Sequence, residues 1–182
     1  GKGGTPYSMV TAADGFGDGM TITQWLADDQ KLQVGDEVEL RYFTIGLGRE
    51  LKDTSAKVKV GAIIPMDDPR VNETWTPEFP GVSDAANCRD WKPGIPMETA
   101  KIRDIDEKYW DDYRTTPKAF IPLELGRKLW SNRFGDLTSI RFKAETVNGL
   151  DAVITSNLQL ADIGLTVRDL GGESAAAAKG SV

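Results

Sequence analysis

The sequence predicts an α+β domain in which a small mixed sheet packs against helices, together with an irregular, proline-rich inserted subdomain. Three observations favour this class. Short stretches alternate apolar and polar residues as strands do, other stretches repeat apolar residues at helical spacing, and prolines cluster in one central region. The predicted order is strand, helix, two strands, insertion, helix, strand, helix and two further strands, which is typical of α+β folds.

The first half of the predicted core contains a strand, a helix and a hairpin. The first strand leads to Thr23, whose side chain suits the cap of the helix that follows. Apolar and polar residues then alternate on both sides of a polar stretch, which predicts two paired strands. The predicted bounds are 20–22 for the first strand, 34–36 for a turn, 37–43 and 57–62 for the hairpin strands, and 49–55 for the hairpin tip.

A proline-rich stretch separates the two halves of the core. Prolines recur between residues 69 and 96, so long regular elements are not expected there. Trp75, Phe79 and Trp91 nevertheless predict ordered chain packed on another surface, and we expect Trp91 to anchor it. Because aromatic residues often dominate protein interfaces, Trp75, Phe79 and Trp91 are also the candidate partner-binding residues.

The second half of the predicted core begins with a helix. Apolar and aromatic residues recur at helical spacing after residue 101, which predicts one core-facing stripe. The stripe consists of Ile102, Ile105, Tyr109 and Tyr113. The later predicted elements are a buried strand over 119–121, a helix starting at Pro122, a strand over 137–142, a short helix within 146–160 and a last strand over 165–168.

These elements predict a discontinuous core with one insertion. We assign residues 1–66 and 117–170 to the α+β core, residues 67–116 to the inserted subdomain, and residues 171–182 to a flexible tail. The glycine-rich start and the Gly- and Ala-rich end of the chain are typical of linkers.

The composition excludes several classes of function. The chain of 182 residues carries a net charge of −6, which argues against a nucleic-acid partner because phosphate binding needs a basic face. It contains no histidine, so imidazole metal sites and histidine-dependent triads are excluded. The single cysteine, Cys88, is expected to be a buried structural thiol. We expect no cofactor and no metal, and no apolar run approaches the ~20 residues that cross a bilayer.

Two acidic stretches are candidate sites, and each has a simpler structural interpretation. Residues 14–19 combine Asp and Gly but lack the later ligands and the terminal Glu of a calcium loop, which favours a turn. Acidic residues crowd positions 104–112, where paired carboxylates would permit acid–base catalysis. Interleaved Lys and Arg favour a solvated salt-bridge face instead. Arg89 and Asp90 are expected to fix the insertion beside Trp91, by a local ion pair or by stacking.

Three sequence blocks carry a resemblance to a known family. They are 87–96 (NCRDWKPGIP), 106–120 (DEKYWDDYRTTPKAF) and 127–142 (RKLWSNRFGDLTSIRF). Together with the more generic stretches 21–40 and 57–66, they resemble the extracytoplasmic domain of large bacterial ABC transporter permeases of the FtsX/MacB-like class. The resemblance covers most of the chain.

The resemblance implies a non-enzymatic domain on the extracytoplasmic side of the bacterial inner membrane. Its partners would be the membrane helices of the parent permease, a separate ATPase subunit or domain, and an unknown substrate or partner protein. The domain would relay motion driven by ATP hydrolysis to that partner. It would contain a porter-like core, and the chain near Tyr7 and Leu170 would lie on one side of the fold with the insertion pointing away.

Two other functions remain open at this point. One is a free-standing extracytoplasmic module that binds a peptide, a lipoprotein or a glycan through the aromatic insertion; a preformed pocket around Trp75, Phe79 and Trp91 would favour it. The other is a hydrolase that uses carboxylates, which requires two of them facing one cleft with shifted pKa values.

We predict that the purified chain does not bind ATP, because the sequence contains no GxxxxGK[ST] loop whose backbone N–H groups would cradle phosphates. Isothermal titration calorimetry with MgATP should therefore show no saturable heat. Saturable binding at micromolar affinity would contradict this prediction.

Overall fold

A mixed sheet of five strands organises the part of the chain that the computed structural model describes, which comprises residues 4–46, 48–142 and 147–159. The chain divides into two compact units, residues 1–139 and 140–182, and the sheet lies within the first. The strands are β1 (Val10–Ala13), β2 (Met20–Thr23), β3 (Glu37–Ile45), β4 (Leu51–Ile64) and β5 (Ala119–Pro122). The helices are α1 (Gln24–Gln30), α2 (Asp104–Tyr113), α3 (Leu123–Trp130) and, in the second unit, α4 (Leu150–Asn157). Short 3₁₀ turns lie at Glu73–Trp75, Cys88–Asp90 and Thr99–Lys101.

The strand order in the sheet is β1-β5-β2-β4-β3. Strand β5 pairs in parallel with β1 and antiparallel with β2, while β4 pairs in parallel with β2 and antiparallel with β3. The long strand β4 is shared, because its residues 51–59 pair with β3 and its residues 60–64 pair with β2. Strand β5 therefore enters the sheet between β1 and β2, although residues 65–118 separate it from β4 along the chain.

Thr23 joins the end of β2 to the start of α1 and to the chain that enters β5. Its hydroxyl oxygen accepts a hydrogen bond from Leu26 N at 3.4 Å, which is the cap predicted from the sequence. The same hydroxyl and the Thr23 backbone N–H both donate to the carbonyl oxygen of Lys118, at 3.2 and 3.0 Å. The helix start and the approach to β5 are therefore held at one point.

The two faces of β5 serve different parts of the core. Ile121 packs into a cluster with Met20, Ile22 and Val60, which the partly buried side chains of α3 also contact. Phe120 points to the opposite face, as alternation along a strand requires. There it belongs to a second cluster, with Phe16 and Ile64, and its ring stacks on the ring of Phe16 at a centroid distance of 4.3 Å.

The predicted class, a mixed sheet packed with helices, is confirmed. The strand before Thr23, the first helix and the hairpin also form where the sequence predicts them. The hairpin tip is shorter than predicted, since β4 already begins at Leu51. The predicted helix after residue 101 begins at Asp104, and Ile105, expected in its core-facing stripe, is 43% exposed.

Two further differences concern the ends of the predicted core. Strand β1 was not predicted, because its four residues are too few to show a clear alternation. Residues 137–142 form no strand: their alternating pattern finds no partner strand among the described residues. The short helix expected within 146–160 is α4, and the strand expected at 165–168 lies outside the described residues.

We predict that Gly126→Ala destabilises the protein, although the same change in an exposed helix gains about 1 kcal/mol. Gly126 lies on α3 against β1, and a Cβ atom added there would overlap the Cβ of Ala12. Overpacking of this kind costs about 1–3 kcal/mol, which urea denaturation measures as a lower free energy of unfolding.

The matched control for this prediction is the double variant Gly126→Ala/Ala12→Gly, which removes the overlapping methyl group from the other side. Its loss of stability should be smaller than the sum of the losses in the two single variants. An additive pair, or a stabilised Gly126→Ala protein, would show that α3 does not press on β1 here.

Candidate functional site

Two of the characteristic sequence blocks, 87–96 and 106–120, pack against each other in the structure. Helix α2 lies over the 3₁₀ turn Cys88–Asp90, and the Glu107 carboxylate accepts hydrogen bonds from the backbone N–H groups of Cys88 and Arg89, at 2.9 and 3.0 Å. Glu107 therefore satisfies two N–H groups at the start of this short turn, which has no side-chain cap of its own. One side chain of α2 thus defines the conformation of the NCRDW block.

A buried ionic network connects α2 with α1 and β5. The ammonium group of Lys118 lies 3.2 Å from Oδ1 of Asp106, and both residues are almost completely buried. Arg103 donates to the other oxygen of Asp106 from Nε at 2.8 Å. The same guanidinium group forms a two-point contact with Asp29, at 3.0 and 2.8 Å. Arg103 therefore links the end of α1 to the start of α2, and its planar guanidinium group suits a bidentate contact with a carboxylate.

Two aromatic rings enclose the Lys118 ammonium group. Its nitrogen lies 4.1 Å from the ring centroid of Trp25 and 4.5 Å from that of Tyr109. These rings meet edge to face at 4.6 Å, and the Tyr109 hydroxyl donates to the carbonyl oxygen of Thr116 at 3.0 Å. A cation held over two ring faces gains electrostatic stabilisation where water is excluded.

Burial and pairing set the pKa values in this cluster. Burial alone would raise the pKa of Asp106, but the hydrogen bond from Arg103 and the charge of Lys118 together hold that pKa below its ordinary value. Burial lowers the pKa of Lys118, and Asp106 opposes that shift. Burial also raises the pKa of Tyr109, and it raises the pKa of the Cys88 thiol to about 12. Cys88 is therefore a poor nucleophile, as the sequence predicts.

This arrangement suits a structural role better than a catalytic one. A general acid needs a carboxyl group with a raised pKa, whereas the pKa of Asp106 is lowered and its two oxygens are occupied by Arg103 and Lys118. A nucleophilic lysine needs an accessible nitrogen, whereas that of Lys118 contacts two rings, a carboxylate and the hydroxyl of Thr5. The cations and carboxylates of the network neutralise one another.

A small cavity lies beside this network. Its volume is about 30 Å³, which is room for one or two water molecules but not for a peptide or a sugar. Residues 6–9 form one wall, and residues of α2 and the 3₁₀ turn form the others. The indole nitrogen of Trp91, which also lines the cavity, is buried without a hydrogen-bond partner among the described residues.

The structure does not bring the three candidate partner-binding residues together. Trp75 packs edge-on against Phe16 and Phe120, and its indole nitrogen donates to the carbonyl oxygen of Arg70 at 2.7 Å. Trp91 packs edge-on against Trp110, at 5.0 Å, in a separate cluster. Phe79 is 40% exposed. A role for these residues in partner binding stays a prediction.

The expectation of a solvated acidic face was wrong. The acidic stretch 104–112 is not a uniformly solvated face, because Asp106 is buried and Glu107 binds the turn below it. Arg89, which was expected to fix the insertion with Asp90 by an ion pair or by stacking, forms an ion pair with Asp104 at 2.7 Å and a more distant one with Glu107. The stretch 14–19 is a turn, with Gly15 and Gly19 at positive φ, and the described residues contain no group of acidic or Cys side chains placed to hold a metal ion.

The expected separation of the chain start from the insertion was also wrong. The Tyr7 hydroxyl accepts a hydrogen bond from Glu98 N, and Tyr7 packs against the cluster that contains Cys88 and Trp110. Leu170, the other end considered, lies outside the described residues. The start of the chain therefore contacts the predicted insertion instead of lying on the far side of the core.

Sequence reasoning missed the residues that matter most in this cluster, namely Lys118, Arg103 and Asp29. One signal was available for Lys118, which directly precedes the apolar strand Ala119–Pro122 and therefore adjoins a segment that is expected to be buried. No comparable signal marks Asp29 or Arg103, because they meet only after α1 and α2 have packed.

We predict that Asp106→Asn weakens the acid dependence of stability. Because the folded pKa of Asp106 lies below its unfolded value of about 3.9, its contribution is fully present above about pH 5 and is lost as pH falls through the folded pKa. The variant should be less stable than the wild type at pH 7, and the difference should shrink towards pH 3. Urea denaturation at several pH values measures the free energy of unfolding of both proteins and therefore the difference between them at each pH.

Asp104→Asn is the matched control, since Asp104 is an exposed carboxylate on the same helix and, among the described residues, forms an ion pair only with Arg89. It should lower stability at pH 7 by less than about 1 kcal/mol. Equal effects of the two substitutions at every pH would show that the buried pair contributes nothing specific.

Comparison with known proteins adds no assignment to this geometry. In the parts of the chain that the structure describes, no helix is long and apolar enough to cross a membrane. No family model, no curated protein and no solved structure matches the chain.

Proposed function

We propose that the chain is a non-enzymatic extracytoplasmic domain of a bacterial FtsX/MacB-like ABC transporter permease, and that it relays ATP-driven motion to a substrate or partner outside the membrane. The observation that carries the proposal is the direct packing of two of the three characteristic sequence blocks, 87–96 and 106–120, through Glu107 and the 3₁₀ turn. Residues that carry the resemblance therefore contact one another and form one local structure in this chain, which supports the proposal.

The element order is compatible with a porter-like core and an inserted subdomain. Strands β2 to β4 and helix α1 precede residues 65–118, and β5 with α3 follows them and completes the same sheet. In this proposal residues 67–116 are the inserted subdomain, and the sheet with α1 and α3 is the core. The insertion remains attached to the core through Lys118, which belongs to the chain entering β5, and through Arg103.

A domain that transmits motion must move without deforming internally, and the buried network supports that requirement. Arg103 links α1 to α2, and Asp106 links α2 to Lys118 at the start of β5. Fully paired polar networks in a low-dielectric interior hold their partners in one arrangement, because any shift leaves a buried charge uncompensated. The network supports a rigid connection between the insertion and the sheet.

The partners in this proposal are the membrane helices of the parent permease, an ATPase subunit or domain, and a substrate or partner protein. The domain would lie on the extracytoplasmic side of the bacterial inner membrane. Among the three aromatic residues, Phe79 is the best candidate for contact with a partner, because it is 40% exposed while Trp75 and Trp91 pack within clusters.

The geometry favours neither of the two alternative functions. A free-standing binding module was expected to show a pocket around all three aromatic residues, but Trp75 and Trp91 belong to separate clusters and the cavity at Trp91 is about 30 Å³. A carboxylate hydrolase needs a carboxyl group with a raised pKa and an open cleft. The buried carboxylate in the cluster, Asp106, has the opposite shift.

We predict that an exposed cysteine in this domain reacts with a membrane-impermeant maleimide in intact spheroplasts. Glu78→Cys, placed in the full-length product of the gene, provides this label because Glu78 is exposed. The matched control is the same product with only its native cysteines, since Cys88 is buried and should react slowly. Affinity purification from detergent-solubilised membranes should also recover an ATPase that contains nucleotide-binding motifs.

Two results would contradict the proposal. One is labelling of Glu78→Cys only after the spheroplasts are lysed, which would place the domain in the cytoplasm. The other is a full-length product that fractionates without membranes and without an ATPase. The second result would favour the free-standing extracytoplasmic module, whereas the first would contradict that alternative as well.

A further inference from the structure

The N-terminal residues 5–9 cross over the buried cluster as a strap. The Lys118 ammonium group donates to the Thr5 hydroxyl at 3.3 Å, and the Lys118 backbone N–H donates to the carbonyl oxygen of Met9 at 3.0 Å. Between these contacts, the Tyr7 hydroxyl accepts from Glu98 N. Residues distant in sequence therefore hold the strap at both ends and in the middle.

The strap and the residues beneath it differ sharply in burial. None of residues 4–13 is fully buried: Gly4 and Ser8 are exposed and the others are partly buried. The side chains that the strap covers are among the most buried in the described chain: Cys88 is 4% exposed, Trp110 2% and Lys118 4%. The strap thus covers residues that are more completely buried than its own.

The strap also forms one wall of the small cavity. Residues 6–9 face Cys88, Trp91 and Trp110 across it. Removing this wall would open the cavity to solvent along its length, without breaking the contact between Glu107 and the 3₁₀ turn. The indole nitrogen of Trp91 would then gain access to water as a hydrogen-bond partner.

The strap is held by a few hydrogen bonds and by Tyr7 and Met9, which pack on the cluster only as partly buried side chains. The bonds of the Thr5 hydroxyl are 3.3 to 3.4 Å long, and a typical hydrogen bond contributes only about 0.5–1.5 kcal/mol net. Strand β1, which follows the strap, is a four-residue edge strand. Segments with few buried contacts open locally at a lower free energy than the whole fold.

We propose that residues 5–9 are a releasable strap, which opens locally while the sheet stays folded and thereby exposes the cavity lined by Cys88, Trp91 and Trp110. The closed strap keeps this aromatic surface covered, and the open strap presents it to solvent. This device does not depend on the proposed transport function, because it follows from the contacts of the isolated chain.

Cys88 is an internal probe for this opening, because it is the chain's only thiol and lies beneath the strap. The rate of its alkylation by a small maleimide is measured in the full chain at increasing urea concentration. Local opening exposes little surface, so the labelling rate should rise with urea much less steeply than global unfolding, which circular dichroism measures in parallel.

Tyr7→Phe tests the strap directly, because it removes only the hydroxyl that accepts from Glu98 N. Cys88 labelling should become about 2- to 10-fold faster, as expected for the loss of one hydrogen bond, with a nearly unchanged melting temperature. Thr5→Val, which removes the contacts to Lys118 and Asp106, should act in the same direction. Tyr42→Phe is the matched control, since Tyr42 lies on β3 and its ring contacts Trp130.

Two outcomes would overturn the proposal. If Cys88 labelling has the same urea dependence as global unfolding, the cavity opens only when the whole fold does. If the dependence is shallow but Tyr7→Phe labels no faster than Tyr42→Phe, another segment opens and the strap assignment is wrong. A shallow dependence with faster labelling in Tyr7→Phe supports it, whatever the outcome of the localisation experiment.

Discussion

Lys118 carries an ammonium group at a position that is only 4% exposed, and the surrounding structure compensates for that burial. An isolated charge in such a site would be too costly to keep, so Asp106, the Thr5 hydroxyl and the rings of Trp25 and Tyr109 replace its hydration shell. These partners come from the N-terminal strap, α1 and α2. Satisfying one cation therefore requires segments from distant parts of the sequence to meet above the start of β5.

The same requirement determines how the proline-rich region sits on the sheet. Residues between β4 and α2 form few regular elements, and their positions depend on side chains of α2: Glu107 holds the Cys88–Asp90 turn, and Trp110 packs against Trp91. Helix α2 is itself positioned by Asp106 and Arg103. The ionic network thus connects the proline-rich region to the sheet.

The strap gives this rigid assembly one weakly held component. Its contacts with the cluster are hydrogen bonds and partly buried side chains, whereas the sheet beneath is held by fully buried apolar residues such as Phe120 and Ile121. The tightly paired interior and the loosely attached strap therefore have different roles. The interior maintains the geometry of the domain, and the covering segment controls whether the aromatic surface around Trp91 is accessible.

The sequence by itself determined the elements that residues close together in the chain specify. Alternation predicted the hairpin, Thr23 predicted the start of α1, and the absence of histidine excluded whole classes of chemistry. Only the tertiary structure decided which face of the acidic helix α2 is buried. Asp106 lies in the interior because it pairs with Lys118 and Arg103, and the spacing of apolar residues along α2 does not predict either pair. The tertiary structure also decided against a strand at 137–142, whose pattern was suitable but which pairs with no strand among the described residues. Periodicity reports the spacing of side chains along one element, whereas burial and pairing depend on a second element that the pattern does not contain.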